Sequence, residues 1–316
     1  MKKNTNILIL GALGQIGSAL TKQLREIYGA NSIIASDIRL DNDKILSDGP
    51  FQIIDATDYN QILECVKKHS IHTVYLMAAM LSANAEKHPN KAWHLNMSSL
   101  FHVLNLAKEG YIKKIFWPSS IAVFGPTTPK YNVPQQTLMT PNTAYGLSKL
   151  AGEGWCAYYH DKYGVDVRSL RYPGIVSWQS MPGGGTTDYA VDIFHKAVFK
   201  EKFICFLKPD TLLPMMYMED ALRATLKIMD SEVSQISVRT SYNISGMSFT
   251  PKQLFNSIRN YCPEFLIEYQ PDFRQSIAEG WPGTIDDSKA RQDWGWKPSY
   301  NLVQMTQEMI KNLKDC

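Results

Sequence analysis

Tyr145 and Lys149, in the stretch Tyr-Gly-Leu-Ser-Lys, carry a phenol and an ammonium four residues apart. On a helix these positions share one face. A neighbouring ammonium stabilises phenolate and draws a tyrosine pKa down from about 10. Such a phenol can accept the proton of an alcohol while the alcohol carbon is oxidised. The same spacing also arises as a plain surface pair, so it needs company. Pro118-Ser119-Ser120 supplies it: these residues follow an apolar run, and Ser120 precedes Tyr145 by 25 residues. A hydroxyl at the carboxyl end of a strand can hydrogen-bond a ligand oxygen, and open α/β sheets bind their ligands along that edge.

A second constellation lies at the N-terminal end. Gly11, Gly14 and Gly17 form a G-x-x-G-x-x-G run after one apolar stretch and before an amphipathic one. Bare backbone turns tightly and lets a pyrophosphate approach, and the following helix N-terminus offers free N–H groups to the anion. Asp37 stands 20 residues beyond Gly17. A carboxylate there can bond both ribose hydroxyls and repel a 2′-phosphate, which favours NAD over NADP. Arg39 blunts that exclusion, and Asp37 also suits a cap or turn. Asp55 is placed either to meet an adenine amino group or to serve a turn.

These groups need a frame. Ile7–Leu10, Ser32–Ser36, Gln52–Ile54, Thr73–Met77, Ile115–Trp117 and Asp166–Leu170 read as six strands. Helical spacing covers Ile16–Ile27, Tyr59–His69, Pro89–Lys108 and Thr143–Tyr163, the last closed by Gly164. Continuous apolar strands alternating with helices predict an α/β fold, a Rossmann doubly wound parallel sheet covered on both faces. After residue 176 the rhythm breaks at Pro182-Gly-Gly-Gly-Thr-Thr187 and a series of prolines. We therefore expect an NAD-binding unit over 1–175, with 215–245 returning to it, and a smaller C-terminal substrate-binding cap over 176–316. Met218–Met229 reads as a core helix.

The bulk composition excludes several classes. The 316 residues carry 33 basic and 30 acidic side chains, a net charge of +3 that suggests no nucleic-acid partner. No run approaches the roughly 18 apolar residues of a membrane span. The opening residues show neither a signal region nor a transit segment. Five scattered cysteines and seven histidines make no C-x-x-C or H-x-x-x-H pair, so no metal site is expected and the thiols suit a cytoplasmic protein.

The glycine loop, the strand-end serine and Y-x-x-x-K, in this order, resemble the extended short-chain dehydrogenases/reductases. Longer stretches narrow the likeness. Ala78–Ser82, Pro118–Pro129, Arg168–Gly174, Pro182–Ala190, Leu213–Met218 and Pro271–Gln275 resemble the short-chain-type L-threonine 3-dehydrogenase family, over nearly the whole chain from residue 6 to about 310. The resemblance implies oxidation of the 3-hydroxyl of L-threonine by NAD to 2-amino-3-oxobutanoate, with Ser120, Tyr145 and Lys149 as the catalytic triad. Lys149 would also bind the nicotinamide ribose, and Tyr172, Pro173, Gly174 and Ile175 would bracket the nicotinamide amide. The likeness puts Gln15, Ile16, Ala56, Leu76, Ala78, Asn96 and Ser119 beside the cofactor as well. Either Ser119 or Ser120 would orient the substrate oxygen. Ser82, Thr186 and Thr187 would contact the amino acid, and Trp281 would close over it, although Trp281 also suits a core or an interface. The loop from Gly183 to Thr187 can present N–H and hydroxyl groups to a carboxylate. The likeness further implies a homodimer built on Pro89–Lys108 and Thr143–Tyr163, whose apolar residues equally suit packing on the sheet.

Two other functions share parts of this pattern. A nucleotide-sugar epimerase or dehydratase has the same core but needs a larger pocket with basic groups for a second pyrophosphate. A non-catalytic NAD-sensing protein would bind the dinucleotide without turnover, and has no use for an intact Ser120, Tyr145 and Lys149. A zinc-dependent alcohol dehydrogenase lacks its cysteine and histidine ligands here.

Overall fold

Ile7-Leu8-Ile9-Leu10 offers no polar face, so the strand it forms must be covered on both sides. The computed structural model describes residues 6–179, 181 and 183–314; Pro182 of the glycine-rich loop lies outside the described residues. The strands are β1 (Asn6–Leu10), β2 (Ile33–Asp37), β3 (Phe51–Ile53), β4 (Ile71–Leu76), β5 (Lys114–Phe116), β6 (Ser119–Ser120), β7 (Asp166–Arg168), β8 (Leu170–Tyr172) and β9 (Gly174–Val176). They continue with β10 (Phe203–Cys205), β11 (Leu213–Tyr217), β12 (Tyr242–Asn243), β13 (Met247–Phe249) and β14 (Ile267–Tyr269). The helices are α1 (Gln15–Tyr28), α2 (Tyr59–Lys68), α3 (Ser82–Lys87), α4 (Pro89–Lys108), α5 (Ala144–Tyr163) and α6 (Tyr189–Val198). After them come α7 (Met218–Asp230), α8 (Pro251–Arg259), α9 (Phe273–Gly280), α10 (Ser288–Trp294) and α11 (Leu302–Lys314).

Six strands form one parallel sheet in the order β3-β2-β1-β4-β5-β7. The fold is α/β with a central parallel sheet, as in Rossmann-fold dehydrogenases. Ile7 and Ile9 pack with Leu20 and Leu24 of α1 and Ala224 and Ile228 of α7. Leu8 and Leu10 pack on the other face with Ile62 of α2, Leu100 and Leu104 of α4 and Cys156 of α5. Burying one such side chain contributes about 1.5–3 kcal/mol, and the alternation puts that gain on both faces. The sheet reverses its winding between β1 and β4. A crevice opens there at the strands' carboxyl ends, which is where such sheets bind ligands.

The sixth predicted strand, Asp166–Leu170, is not one strand. It divides at Ser169: β7 pairs with β5, whereas β8 pairs with β6 and β12. The Ser169 hydroxyl lies 2.8 Å from that of Ser241, and its carbonyl accepts from Tyr242 N. Partners distant in sequence thus set the break, and they carry the chain from the large sheet towards the site. β9 then pairs with β11, and a third core gathers α6, α8 and α11 around Phe194, Leu254 and Met309.

Candidate active site

Helix α5 carries two of the three side chains expected to be catalytic, Tyr145 and Lys149. Thr143 caps its N-terminus by accepting from Gly146 N, and Gly164 ends it in the left-handed conformation at φ 71°. A side chain at Gly146 would place its Cβ 2.1 Å from Ala122 O, so glycine lets the first turn of α5 press against the segment after Ser120. Tyr145 and Lys149 are both buried. The Lys149 ammonium donates to Pro118 O at 2.6 Å and lies 4.5 Å from the centre of the Trp117 ring. Burial pulls its pKa down to about 7, opposed by nearby Glu153. Burial likewise pushes Tyr145 up to about 12, opposed by a hydrogen bond with Ser120. The net shift of the phenol is thus upward, against the sequence expectation, and desolvation is its largest cause.

Ser119 and Ser120 separate into different roles. Ser119 Oγ donates to Glu153 Oε1 at 2.6 Å. Glu153 is held by Arg171 through two bonds of 2.9 and 2.7 Å, and both side chains are almost wholly buried. The Ser119 proton is therefore committed, and its oxygen faces a ligand as an acceptor only. Ser120 Oγ accepts from Ala122 N at 3.2 Å and keeps its proton for the Tyr145 side. Sequence reasoning missed Glu153 and Arg171. Glu153 extends the series 145, 149, 153 along one helix face, and that spacing was a usable signal.

The glycine loop fits a dinucleotide. Gly11 adopts φ 87°, and a Cβ there would lie 2.5 Å from Ala78 N; one at Gly17 would lie 2.2 Å from Gly11 O. Any side chain would fill this cradle. Gly14 caps α1 with no side-chain bond to its first turn. Gly11, Gly14, Gln15, Ile16 and Gly17 line a cavity of about 210 Å³. Ser119, Ser120, Tyr145 and Lys149 line it too, as do Tyr172, Pro173 and Ile175. The Tyr172 hydroxyl itself turns away to Thr225.

Six other predicted cofactor residues lie off this lining. Asp37 ends β2, accepting from Leu13 N at 3.1 Å and from Arg39 Nε at 3.0 Å. Asp55 holds its own turn through Thr57 N and Oγ1, at 2.8 and 2.7 Å. Ala56 is buried after it, and Leu76 closes β4. Ala78 backs Gly11. Asn96 fastens Met80 and Ser148, accepting from Met80 N at 2.9 Å and donating to Ser148 Oγ at 3.0 Å.

Ser82, Thr186, Thr187 and Trp281 line the same cavity. The hydroxyls of Ser82 and Thr186 stand 3.3 Å apart. Here the expectation for the glycine-rich loop needs correcting. Gly184 N and Gly185 N do not face outward; both donate to Asp188 Oδ2, at 2.8 and 2.7 Å. Asp188, which sequence reasoning did not single out, lines the cavity too. Trp281 is fixed from behind: Lys130 Nζ donates to Trp281 O at 3.1 Å, and Lys130 O accepts from Gly283 N at 2.8 Å. A larger open groove of about 970 Å³ runs between β3 and α2, but none of the catalytic set lines it.

Over residues 7–245 the chain matches the NAD dependent epimerase/dehydratase family. An uncharacterized epimerase/dehydratase of Staphylococcus aureus (strain MRSA252) is 46% identical over 316 residues, covering 99% of this chain and 97% of that protein. The holo form of a GalE-like L-threonine dehydrogenase from Cupriavidus necator superposes with a TM-score of 0.95 at 54% identity, covering 98% of this chain and 99% of the other. A monomeric L-threonine 3-dehydrogenase of metagenomic origin, in its apo form, does so with a TM-score of 0.94 at 44% identity, covering 98% and 99%.

Proposed function

The chain belongs to the NAD dependent epimerase/dehydratase family as an NAD(H)-binding oxidoreductase, and from that premise we propose that it oxidises the 3-hydroxyl of L-threonine to 2-amino-3-oxobutanoate. The observation that carries the reading is the extent of the likeness to L-threonine dehydrogenases. It runs over 98% of the chain, beyond the half that carries the glycine loop.

Bound NAD⁺ supplies the hydride acceptor and a positive charge. Tyr145 accepts the proton of the substrate hydroxyl, and Ser120 donates to the same oxygen to hold it in line. Lys149, pinned by Pro118 O and the Trp117 ring, shares its proton with the Tyr145 side, and with the positive charge of bound NAD⁺ it would draw the phenol down to the phenolate that accepts the substrate proton. Ser82, Thr186 and Thr187 receive the amino acid, and Trp281 shuts out water. In this division of labour 1–175 with 215–245 holds NAD, with Asp37 and Asp55 at its adenosine end, and 176–316 mainly forms the cap. No helix among the described residues is long and apolar enough to cross a membrane. We place the protein in the cytoplasm, as a homodimer.

NADH formation from L-threonine and NAD⁺, followed by absorbance beside Tyr145→Phe, tests the proposal. We expect threonine-dependent turnover that the variant loses by roughly 10²–10⁴-fold, with NADH binding retained. Turnover of nucleotide sugars and not of threonine would refute it.

A further inference from the structure

The proposed substrate is a zwitterion, and the cavity must replace water around both of its charges. Burying an ammonium without an anionic partner is costly, whereas a charge-assisted hydrogen bond restores much of the loss. Among the described residues lining the cavity, the charged side chains are Lys149 and Asp188. Lys149 is spoken for by Pro118 O and the Trp117 ring, beside Tyr145. Asp188 is therefore the one anion in the lining.

Its carboxylate is already fixed. Gly184 N and Gly185 N hold Oδ2, and a Cβ on Gly185 would come within 2.7 Å of Oδ1, so the loop admits no side chain there. Asp188 stands at the N-cap position of helix α6, but its side chain makes no bond to the helix's first turn. Thr186, two residues before it, meets the Ser82 hydroxyl. One short loop thus brings hydroxyls suited to a carboxylate next to an anion suited to an ammonium.

We propose that Asp188 is a specificity-determining residue: its carboxylate binds the ammonium of the amino-acid substrate and turns away phosphate-bearing ones. The inference rests on the reading of L-threonine as substrate. The chemistry discriminates by sign, because the same carboxylate that attracts an ammonium repels the two negative charges of a nucleotide sugar's pyrophosphate.

Asp188→Asn separates this role from that of a loop staple, since the amide oxygen still accepts from Gly184 N and Gly185 N while the charge is gone. Wild type and variant are assayed with L-threonine and with (R)-3-hydroxybutyrate, used as substrate or competitive inhibitor. It keeps the skeleton and the hydroxyl but has hydrogen in place of the ammonium. NADH affinity and melting temperature are measured alongside. The expected result is a KM for threonine raised between about ten- and a hundred-fold, with kcat, hydroxybutyrate affinity and NADH affinity little changed. An unchanged KM for threonine overturns the inference alone. So does an equal loss towards both compounds, which marks Asp188 as a staple only. Wild-type protein that fails to oxidise threonine ends the underlying reading, and the inference with it, before any variant is made.

Discussion

Lys149 sits where its own solvation argues against it. Its pKa falls from the ordinary 10.5 to about 7 because it is buried. Between those values the unfolded chain binds a proton that the folded chain does not, so this group favours folding increasingly as pH rises from 7 to 10.5. Below about pH 7 the buried cation is carried at full cost, on the order of a few kcal/mol. Lys149→Met should therefore abolish turnover and yet melt higher than wild type at pH 6, with the gap narrowing towards pH 10. Melting curves across that range check it, and a variant that melts lower at pH 6 contradicts it. At this scale the sequence was legible where a residue type has few other uses at its position, as with the glycines and Tyr145 and Lys149. It was less legible where a role depends on a partner. Which of Ser119 and Ser120 keeps its proton is decided by Glu153, and Glu153 is held in place by Arg171, 18 residues on. Asp188 escaped notice because a carboxylate before a helix reads first as a cap.

Elements were legible in proportion to how local their signals are. Helix α4 begins at Pro89 and α5 ends before Gly164, as their terminal residues predict. The run 166–170 was misjudged because its break at Ser169 is imposed by β6 and β12, and no periodicity records a partner. Close packing between elements is equally hidden. A Cβ on Gly152 of α5 would lie 2.4 Å from the Trp117 Cη2 atom, whose ring also faces the Lys149 ammonium. Gly152→Ala should lower stability by about 1–3 kcal/mol and reduce kcat, because the helix must retreat with Tyr145 and Lys149 on it. Denaturant unfolding and steady-state rates measure the two effects. An alanine variant with native stability and native kcat would show that the interface yields without moving Tyr145 and Lys149.

For the whole molecule, the sequence predicted the doubly wound sheet because alternation is a global pattern. How the C-terminal segment is fastened to the sheet unit was not readable. The chain between Ser120 and Tyr145 runs out to Lys130 and Val133, which bind Gly283, Thr284 and Asp286 through their backbones, and Asn243 ties Val133 and Asp286 together from inside at 3.1 and 3.2 Å. Self-association belongs to this scale as well. Helices α4 and α5 pack side by side and expose Trp93, Trp155 and Tyr158, at 49%, 39% and 46%. Paired across a two-fold axis, these aromatics would be covered. Light scattering should then give twice the 35.8 kDa chain mass, falling to one chain for Trp155→Glu. A wild-type mass of one chain would align this protein with its monomeric relative instead.

The bond between Arg39 and Asp37 has an evolutionary consequence. The guanidinium that now leans on the carboxylate, itself mostly exposed, is the group that a 2′-phosphate would seek. A single base change converts an aspartate codon to glycine. At position 37 that one step would erase the repulsion and release the arginine together, so a lineage carrying this pair stands one mutation from a different cofactor pool. That pool is kept reduced in most cells, and an enzyme drawing on it would find its equilibrium pulled towards the alcohol.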